Sequence, residues 1–524
     1  MKKLILLLFC CATILCVDAQ QRMPRDIEQA LNKLNIAEIA IKSLYVDTVN
    51  INDLTDEAIK GMLSKLDPHS SYTTAEETRK LNEPLNGNFE GIGVQFNILE
   101  DTLIVIQTIS KGPSEKVGIL AGDRIITVDG EAIAGVKMDR ADIMKKLRGP
   151  KGTKTRLGIV RRGVSETLYF DVVRDKIPLF SVDAAYMVRP GVGLIRVSSF
   201  AATTAKEVEE AIIKLKKQGM KDLIFDLTEN GGGYLQAATD VASLFLPKGD
   251  MIVYTDGRSV QHSDYYSKGS NVFQDGKLVI LVDGFTASAA EIVSGAVQDQ
   301  DRGIIVGRRT FGKGLVQRPI DLPDGSLIRL TVSHYYTPSG RCIQRPYKKG
   351  EKKEYDEDIL QRLRAGELMH ADSIHFSDSL KYSTLRKGRT VYGGGGIMPD
   401  YFVPLDTNTY TPYYRRLSNR NIILTQYMKY YDRVRQELQG RYKKFDKFSK
   451  EYEVPSELLA TIEEEGKKVG ITPSTPNERE LTLVRLKQTL KGLAARDLWD
   501  MSEYFNVIYE DNPMVIKALE LLSK

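Results

Sequence analysis

A chain of 524 residues is too long for one compact core, so two to four domains are expected. Hydrophobic residues at 42% and charged residues at 27% are those of an ordinary globular protein, not of a disordered or fibrous one. The 74 basic and 69 acidic residues nearly cancel, to a net +5, and give no sign of a nucleic-acid-binding stripe.

The first predicted element is a leader. Lys2 and Lys3 precede an apolar run from Leu4 to Val17, too short and wrongly flanked for a spanning helix. Val17-Asp18-Ala19 fits the small-residue pattern before a signal peptidase cut. Residues 1–19 are therefore read as a signal peptide and Gln20 as the mature start, an uncleaved anchor being the alternative. Leu15, before Cys16, is not the small residue expected ahead of a lipid-modified cysteine. No later stretch is apolar for long enough to span a bilayer. The mature chain is expected to be exported, periplasmic or membrane-associated on the outer side of the inner membrane. Cys10, Cys11 and Cys16 fall in the leader, which leaves Cys342 alone. No intramolecular disulfide and no cysteine-held metal follow from that, and Cys342 is read as structural.

Residues 22–84 read as a helical region. Ile27, Leu31, Leu34 and Ile41 recur at helical spacing, and Ile59, Met62, Leu63 and Leu66 form a second stripe. Asp67-Pro68-His69-Ser70 ends it in turn residues, and His69 is read as supporting that turn rather than as catalytic. Residues 85–175 change to short strand-like runs between glycine-rich turns, with a short helix over Asp139–Leu147. Gly91-Ile92-Gly93-Val94, Leu120-Ala121-Gly122-Asp123-Arg124-Ile125 and Val128-Asp129-Gly130 occur there in that order, and the run resembles a PDZ domain. The resemblance makes Gly91, Ile92, Gly93 and Val94 the peptide-binding loop, whose backbone N–H groups converge on a terminal carboxylate beside an open strand edge.

From 176 to 405 strands and helices alternate, which predicts an α/β layer with its ligands at the carboxyl ends of the strands. A charged insert over about 347–390 resists assignment. Beyond Thr409 the chain is helical again, and residues 410–524 are read as a packing or assembly domain whose stripes (Ile423, Tyr427, Tyr431, then Leu481 to Leu493) are core.

Two glycine-rich turns and one serine carry the chemistry. Ser288 follows the predicted strand Leu278–Asp283 at the start of the next helix, where free N–H groups can stabilise an oxyanion. The N–H of Ala289 is the natural donor, and the Gly231-Gly232-Gly233 turn offers a second, assigned to Gly232. A serine hydroxyl needs a base. Lys313, between Gly312 and Gly314, can serve once burial disfavours its ammonium, and Gln317 can orient it. Taken alone, a serine at a helix start is more often a cap. However, Phe285-Thr286-Ala287-Ser288-Ala289-Ala290-Glu291 and Gly307-Arg308-Arg309-Thr310-Phe311-Gly312-Lys313-Gly314-Leu315-Val316-Gln317 resemble the two signature blocks of the C-terminal processing peptidase family, with serine and lysine 25 residues apart. Asp226 to Gly233, Thr337-Pro338-Ser339-Gly340 and Gly394 to Asp400 fit the same pattern, so the resemblance spans roughly residues 35 to 405.

The resemblance implies a multidomain α/β protein with a ClpP/crotonase-like peptidase core, an inserted PDZ domain and flanking helical segments. It implies Ser288 as nucleophile, Lys313 as general base, Gln317 as orienting partner, and a serine endopeptidase that needs no metal or organic cofactor. The partners it implies are proteins with apolar C-terminal tails, an activating or adaptor protein, and a second copy of the chain, with no nucleic acid. It also implies that the PDZ domain gates the active site. The insert and the helical tail lie outside the shared motifs. A catalytically silent peptide- or ligand-binding protein on the same fold is the competing reading, and another acyl-transfer or isomerase chemistry is a second. Ser288, Lys313 and Gln317 are all present, against the former, and the PDZ module stands against the latter.

Overall fold

The computed structural model describes residues 24–406 and 410–524, so the leader and its cysteines lie outside the described residues. The chain divides into two compact units at Leu66. The described part of the first is a pair of helices, Arg25–Leu44 and Ile51–Leu63, the second capped by the Asn50 carboxamide on the Asn52 N–H (3.1 Å). Only Leu63 of the two expected stripes is buried, because two helices by themselves enclose almost no interior. Among the described residues no helix is long and apolar enough to cross a membrane.

The second unit begins at Asp67. Its first layer is a small antiparallel sheet running Val94–Leu99, Thr102–Thr108, Arg124–Val128, Lys154–Val160, Leu168–Val173, with helix Arg140–Leu147 beside it. Alternation buries Leu103, Val105, Ile125, Leu157, Ile159 and Val172. A two-stranded neck, Asn88–Gly91 against Asp175–Pro178, carries the chain into and out of this module.

The central layer is a six-stranded sheet in the order Val182–Arg189, Val192–Val197, Asp222–Asp226, Leu278–Val282, Ile304–Gly307, Tyr401–Phe402. The first pair is antiparallel and the rest are parallel. Strands covered on both faces must be apolar throughout, as Leu278–Val282 is. Helices Thr204–Lys217, Leu235–Phe245 and Ala289–Asp299 cover one face. The other is covered by helix Pro513–Ser523, through Val515, Ala518, Leu521 and Leu522. Part of the helical tail thus completes the α/β layer, while Tyr413, Tyr427, Tyr431, Phe448 and Leu486 centre a separate helical core.

A second sheet joins Ser71–Thr73, Leu327–Tyr336, Met251–Asp256 and Ser263–Tyr266, with Leu315–Asp321 also paired to Leu327–Tyr336. The insert holds two short helices, Lys352–Asp356 and Asp358–Arg364, and a hairpin, Lys381–Ser383 with Thr390–Tyr392.

Candidate active site

The serine sits where the sheet ends. Ser288 follows strand Leu278–Val282 and caps helix Ala289–Asp299 with φ +57 and ψ −116, a conformation L-residues avoid. Such strain persists only where neighbours over-determine it. Here the Ser288 N–H donates to Glu291 Oε2 (2.8 Å), and its carbonyl accepts from the Tyr335 hydroxyl (3.1 Å). The loop before it is tied down as well. Asp283 Oδ1 accepts from the N–H groups of Phe285 (3.0 Å), Thr286 (3.1 Å) and Glu229 (3.1 Å), and the Thr286 hydroxyl donates to the Leu227 carbonyl (2.8 Å).

The glycine turn lies against the serine. Gly232 has φ +98, and a Cβ there would stand 2.8 Å from Ser288 Cβ and 3.0 Å from Ala289 N, so only glycine fits. Among the described residues the Ala289 N–H, first in its helix, has no backbone acceptor, whereas the Gly232 N–H donates to Asn230 Oδ1 (2.8 Å). The two candidate oxyanion donors therefore differ: one is free and one is engaged.

The lysine arrives on the loop after strand Ile304–Gly307. Glu291, fully buried, joins the two loops, and sequence reasoning gave it no role. Its Oε2 accepts from both Ser288 N and Lys313 N (2.9 Å), and its Oε1 from Gly312 N (2.7 Å) and the Thr310 hydroxyl (2.5 Å). Burial pushes the Glu291 carboxyl above the usual range, against the pull of these hydrogen bonds. Burial likewise lowers the Lys313 ammonium, helped by Arg329, while Glu291 and Asp67 act in the opposite sense. The insert braces this loop from outside: buried Arg362 donates to the carbonyls of Thr310 (2.8 Å) and Phe311 (3.1 Å).

The Lys313 side chain makes no hydrogen bond to Ser288 or Gln317 among the described residues. Gln317 instead donates from Nε2 to Thr331 Oγ1 (3.3 Å), its cross-strand partner. His69 lies in the same neighbourhood, paired with the Tyr355 hydroxyl (2.9 Å), and its pKa is lowered to about 3 by burial and then by the charge of Lys313. It is neutral at ordinary pH.

In the small module, Ile92, Gly93 and Val94, but not Gly91, line a groove of about 250 Å³, with Phe96, Met144 and Leu147 also lining it. The Ile92 carbonyl accepts from Ser114 N (3.1 Å) and the Gly93 carbonyl from Ile109 N (3.0 Å). In a trans peptide the N–H points opposite to the C=O, so the N–H groups of Gly93 and Val94 turn away from those partners. Among the described residues no cluster of acidic, histidine or cysteine side chains could hold a metal.

Four family models match the chain. They are peptidase family S41 over residues 191–351, a PDZ domain over 91–172, the N-terminal domain of the activating protease CtpB over 14–78, and a family of unknown function over 413–500. A carboxy-terminal-processing protease of Bartonella bacilliformis is 37% identical over 309 residues, 58% of this chain and 70% of that protein. The carboxy-terminal processing protease CtpA of Bacillus subtilis is 35% identical over 340 residues, 63% of this chain and 70% of that one. Among solved structures, a photosystem II D1 C-terminal processing protease matches at 31% identity and a TM-score of 0.34, over 59% of this chain and 83% of its own.

Proposed function

The chain belongs to the PDZ-containing carboxy-terminal processing proteases of peptidase family S41, and on that premise we propose that Ser288 is its nucleophile and Lys313 its general base. It is a serine peptidase acting on C-terminal tails. The observation that carries the dyad reading is the Glu291 carboxylate, one oxygen of which accepts from the backbone N–H of both Ser288 and Lys313. Two loops bound to a single atom bring the backbones of the two residues together, which supports that reading.

In the proposed cycle neutral Lys313 takes the hydroxyl proton as Ser288 Oγ attacks the scissile carbonyl. The Ala289 N–H stabilises the resulting oxyanion, with the Gly232 N–H as second donor once shared with or released from Asn230. Lys313 then protonates the leaving amine, and water activated by the same amine hydrolyses the acyl-enzyme. Gln317 orients the lysine. Burial disfavours the charged form of the lysine, which favours its acting as a base.

Substrate tails dock in the groove beside Gly91–Val94. The terminal carboxylate meets the N–H groups of Gly93 and Val94, and the last side chain fills the pocket of Ile92, Val94, Met144 and Leu147. That lining supports apolar tail ends. Export is proposed on the basic-then-apolar leader at Lys2 to Val17.

The test is cleavage of an unstructured peptide with an apolar C-terminus by the wild type, Ser288→Ala and Lys313→Ala. Loss of cleavage in both variants, with circular dichroism unchanged, is expected. Full activity in Lys313→Ala would overturn the dyad and turn attention to another base, His69 first.

A further inference from the structure

The turn that opens the second unit reaches Gln317 through a chain of hydrogen bonds. Asp67 Oδ1 accepts from His69 N (2.8 Å), Ser70 N (2.9 Å) and Thr331 Oγ1 (2.9 Å), and Asp67 Oδ2 accepts from the Ser70 hydroxyl (2.5 Å). Burial pushes this carboxyl up, but the hydrogen bonds more than offset that, and its pKa lies below the ordinary value. Asp67 is therefore ionised at working pH and can only accept.

The direction of the next link follows. Thr331 carries one hydroxyl proton and gives it to Asp67, so toward Gln317 its oxygen can only accept. The end of the Gln317 amide facing Thr331 must then be the NH2, as Nε2 at 3.3 Å. That choice sends Oε1 the other way, and Oε1 has no hydrogen-bond partner among the described residues. Lys313 lies within the electrostatic reach of Asp67, together with Glu291, Arg329 and His69. An ammonium has only hydrogens to offer an amide, and the neutral amine needs its one lone pair for the Ser288 proton. A carbonyl turned toward it accepts an N–H and leaves that lone pair free, while an NH2 would repel the ammonium or occupy the lone pair.

We propose that Asp67 and Thr331 are positioning residues that fix the Gln317 amide with its carbonyl toward Lys313. The inference rests on Lys313 being the base. It assigns a purpose to a turn 246 residues before that lysine, with Thr331 as the switch of hydrogen-bond direction between them. Without the Thr331 hydroxyl the amide loses its reason to prefer either face, and half of its orientations set a donor against the lysine.

The experiment is a kinetic cycle on the full chain, with the apolar-tailed peptide as substrate. Thr331→Val is expected to lower kcat about tenfold with KM little changed, since the hydroxyl touches no substrate. Thr331→Ser, which keeps the hydroxyl, recovers most of that loss. In a Gln317→Ala background Thr331→Val costs nothing further, because its effect passes through the amide. Thr331→Ala gives the same reading should valine disturb the strand. Losses that add in the double variant, wild-type kcat in Thr331→Val, or wild-type kcat in Gln317→Ala would each overturn the proposal. Full activity in Lys313→Ala is a separate result that removes the base itself, before Thr331 is touched.

Discussion

Replacing Glu291 by glutamine tests how the two loops are joined. The carboxylate accepts from Ser288 N and Lys313 N on one oxygen, and from Gly312 N and the Thr310 hydroxyl on the other. A glutamine must put its NH2 on one side. Facing Ser288 and Lys313 it would meet two backbone donors that have no alternative. Facing Gly312 and Thr310 it meets one, because the Thr310 oxygen already accepts from Ile397 N (2.6 Å) and can accept again. The second placement is therefore favoured. It leaves one buried N–H without an acceptor, at about 1–3 kcal/mol, and one hydroxyl proton displaced, at about 1 kcal/mol. The variant should be about 2–4 kcal/mol less stable, read as a shift of urea unfolding to lower concentration. Its electrostatic effect has the opposite character. Glu291 holds the Lys313 pKa up against burial and Arg329, with Asp67 acting alongside it. Without that charge the neutral amine forms at lower pH, so the acid limb of the kcat/KM profile should move down. Undiminished stability, or an acid limb that stays in place or moves up, would refute this account of the junction.

Three further outcomes are expected. Ser288→Gly abolishes cleavage yet raises stability by about 1 kcal/mol, because strain of order 1–3 kcal/mol at φ +57 exceeds the unfolded-state entropy glycine adds; Ser288→Ala, equally strained, gains nothing in the same unfolding assay. Gly232→Ala drives a methyl to 2.8 Å from Ser288 Cβ at a backbone φ of +98, and peptide cleavage should fall by at least two orders of magnitude, about 2.7 kcal/mol or more of transition-state stabilisation. His69 carries a pKa of about 3 when folded against about 6.5 unfolded, so the unfolded chain takes up a proton the native one refuses, and stability falls as pH drops from about 6.5 toward 3. In His69→Gln that part of the slope in unfolding free energy against pH should disappear.

The parts of this molecule that were readable in advance are those written locally. Strand Leu278–Val282, the helix that follows Ser288, the glycine at 232 and the tight backbone at Gly312 (φ +86) all follow from runs of a few residues. Ile423, Tyr427 and Tyr431 announced their burial by helical spacing alone. What escaped was set by partners far along the chain. Asp67 reads as one more turn residue until Thr331, 264 residues later, is found donating to it. Glu291 sits in plain view in the serine block, but its task depends on a loop that comes 21 and 22 residues afterwards. The insert shows no periodicity because its work is done by single long side chains such as Arg362, whose burial no pattern announces. Asn230 engages the Gly232 N–H, which backbone flexibility alone could not foretell.

The helix Pro513–Ser523 that closes the second face of the central sheet has a bearing on when the enzyme comes into being. Arg189, ahead of the second strand, donates to the Leu519 carbonyl across 330 residues, and strands laid down from Val192 onward rest on Val515, Ala518 and Leu522. A ribosome must therefore release the serine, the lysine and every strand of the sheet before the surface that seats them exists. During that interval the growing polypeptide carries Ser288 and Lys313 on an unfinished scaffold. The second face of the sheet is thus completed only once residues 513–523 have been added, some 200 residues after Lys313.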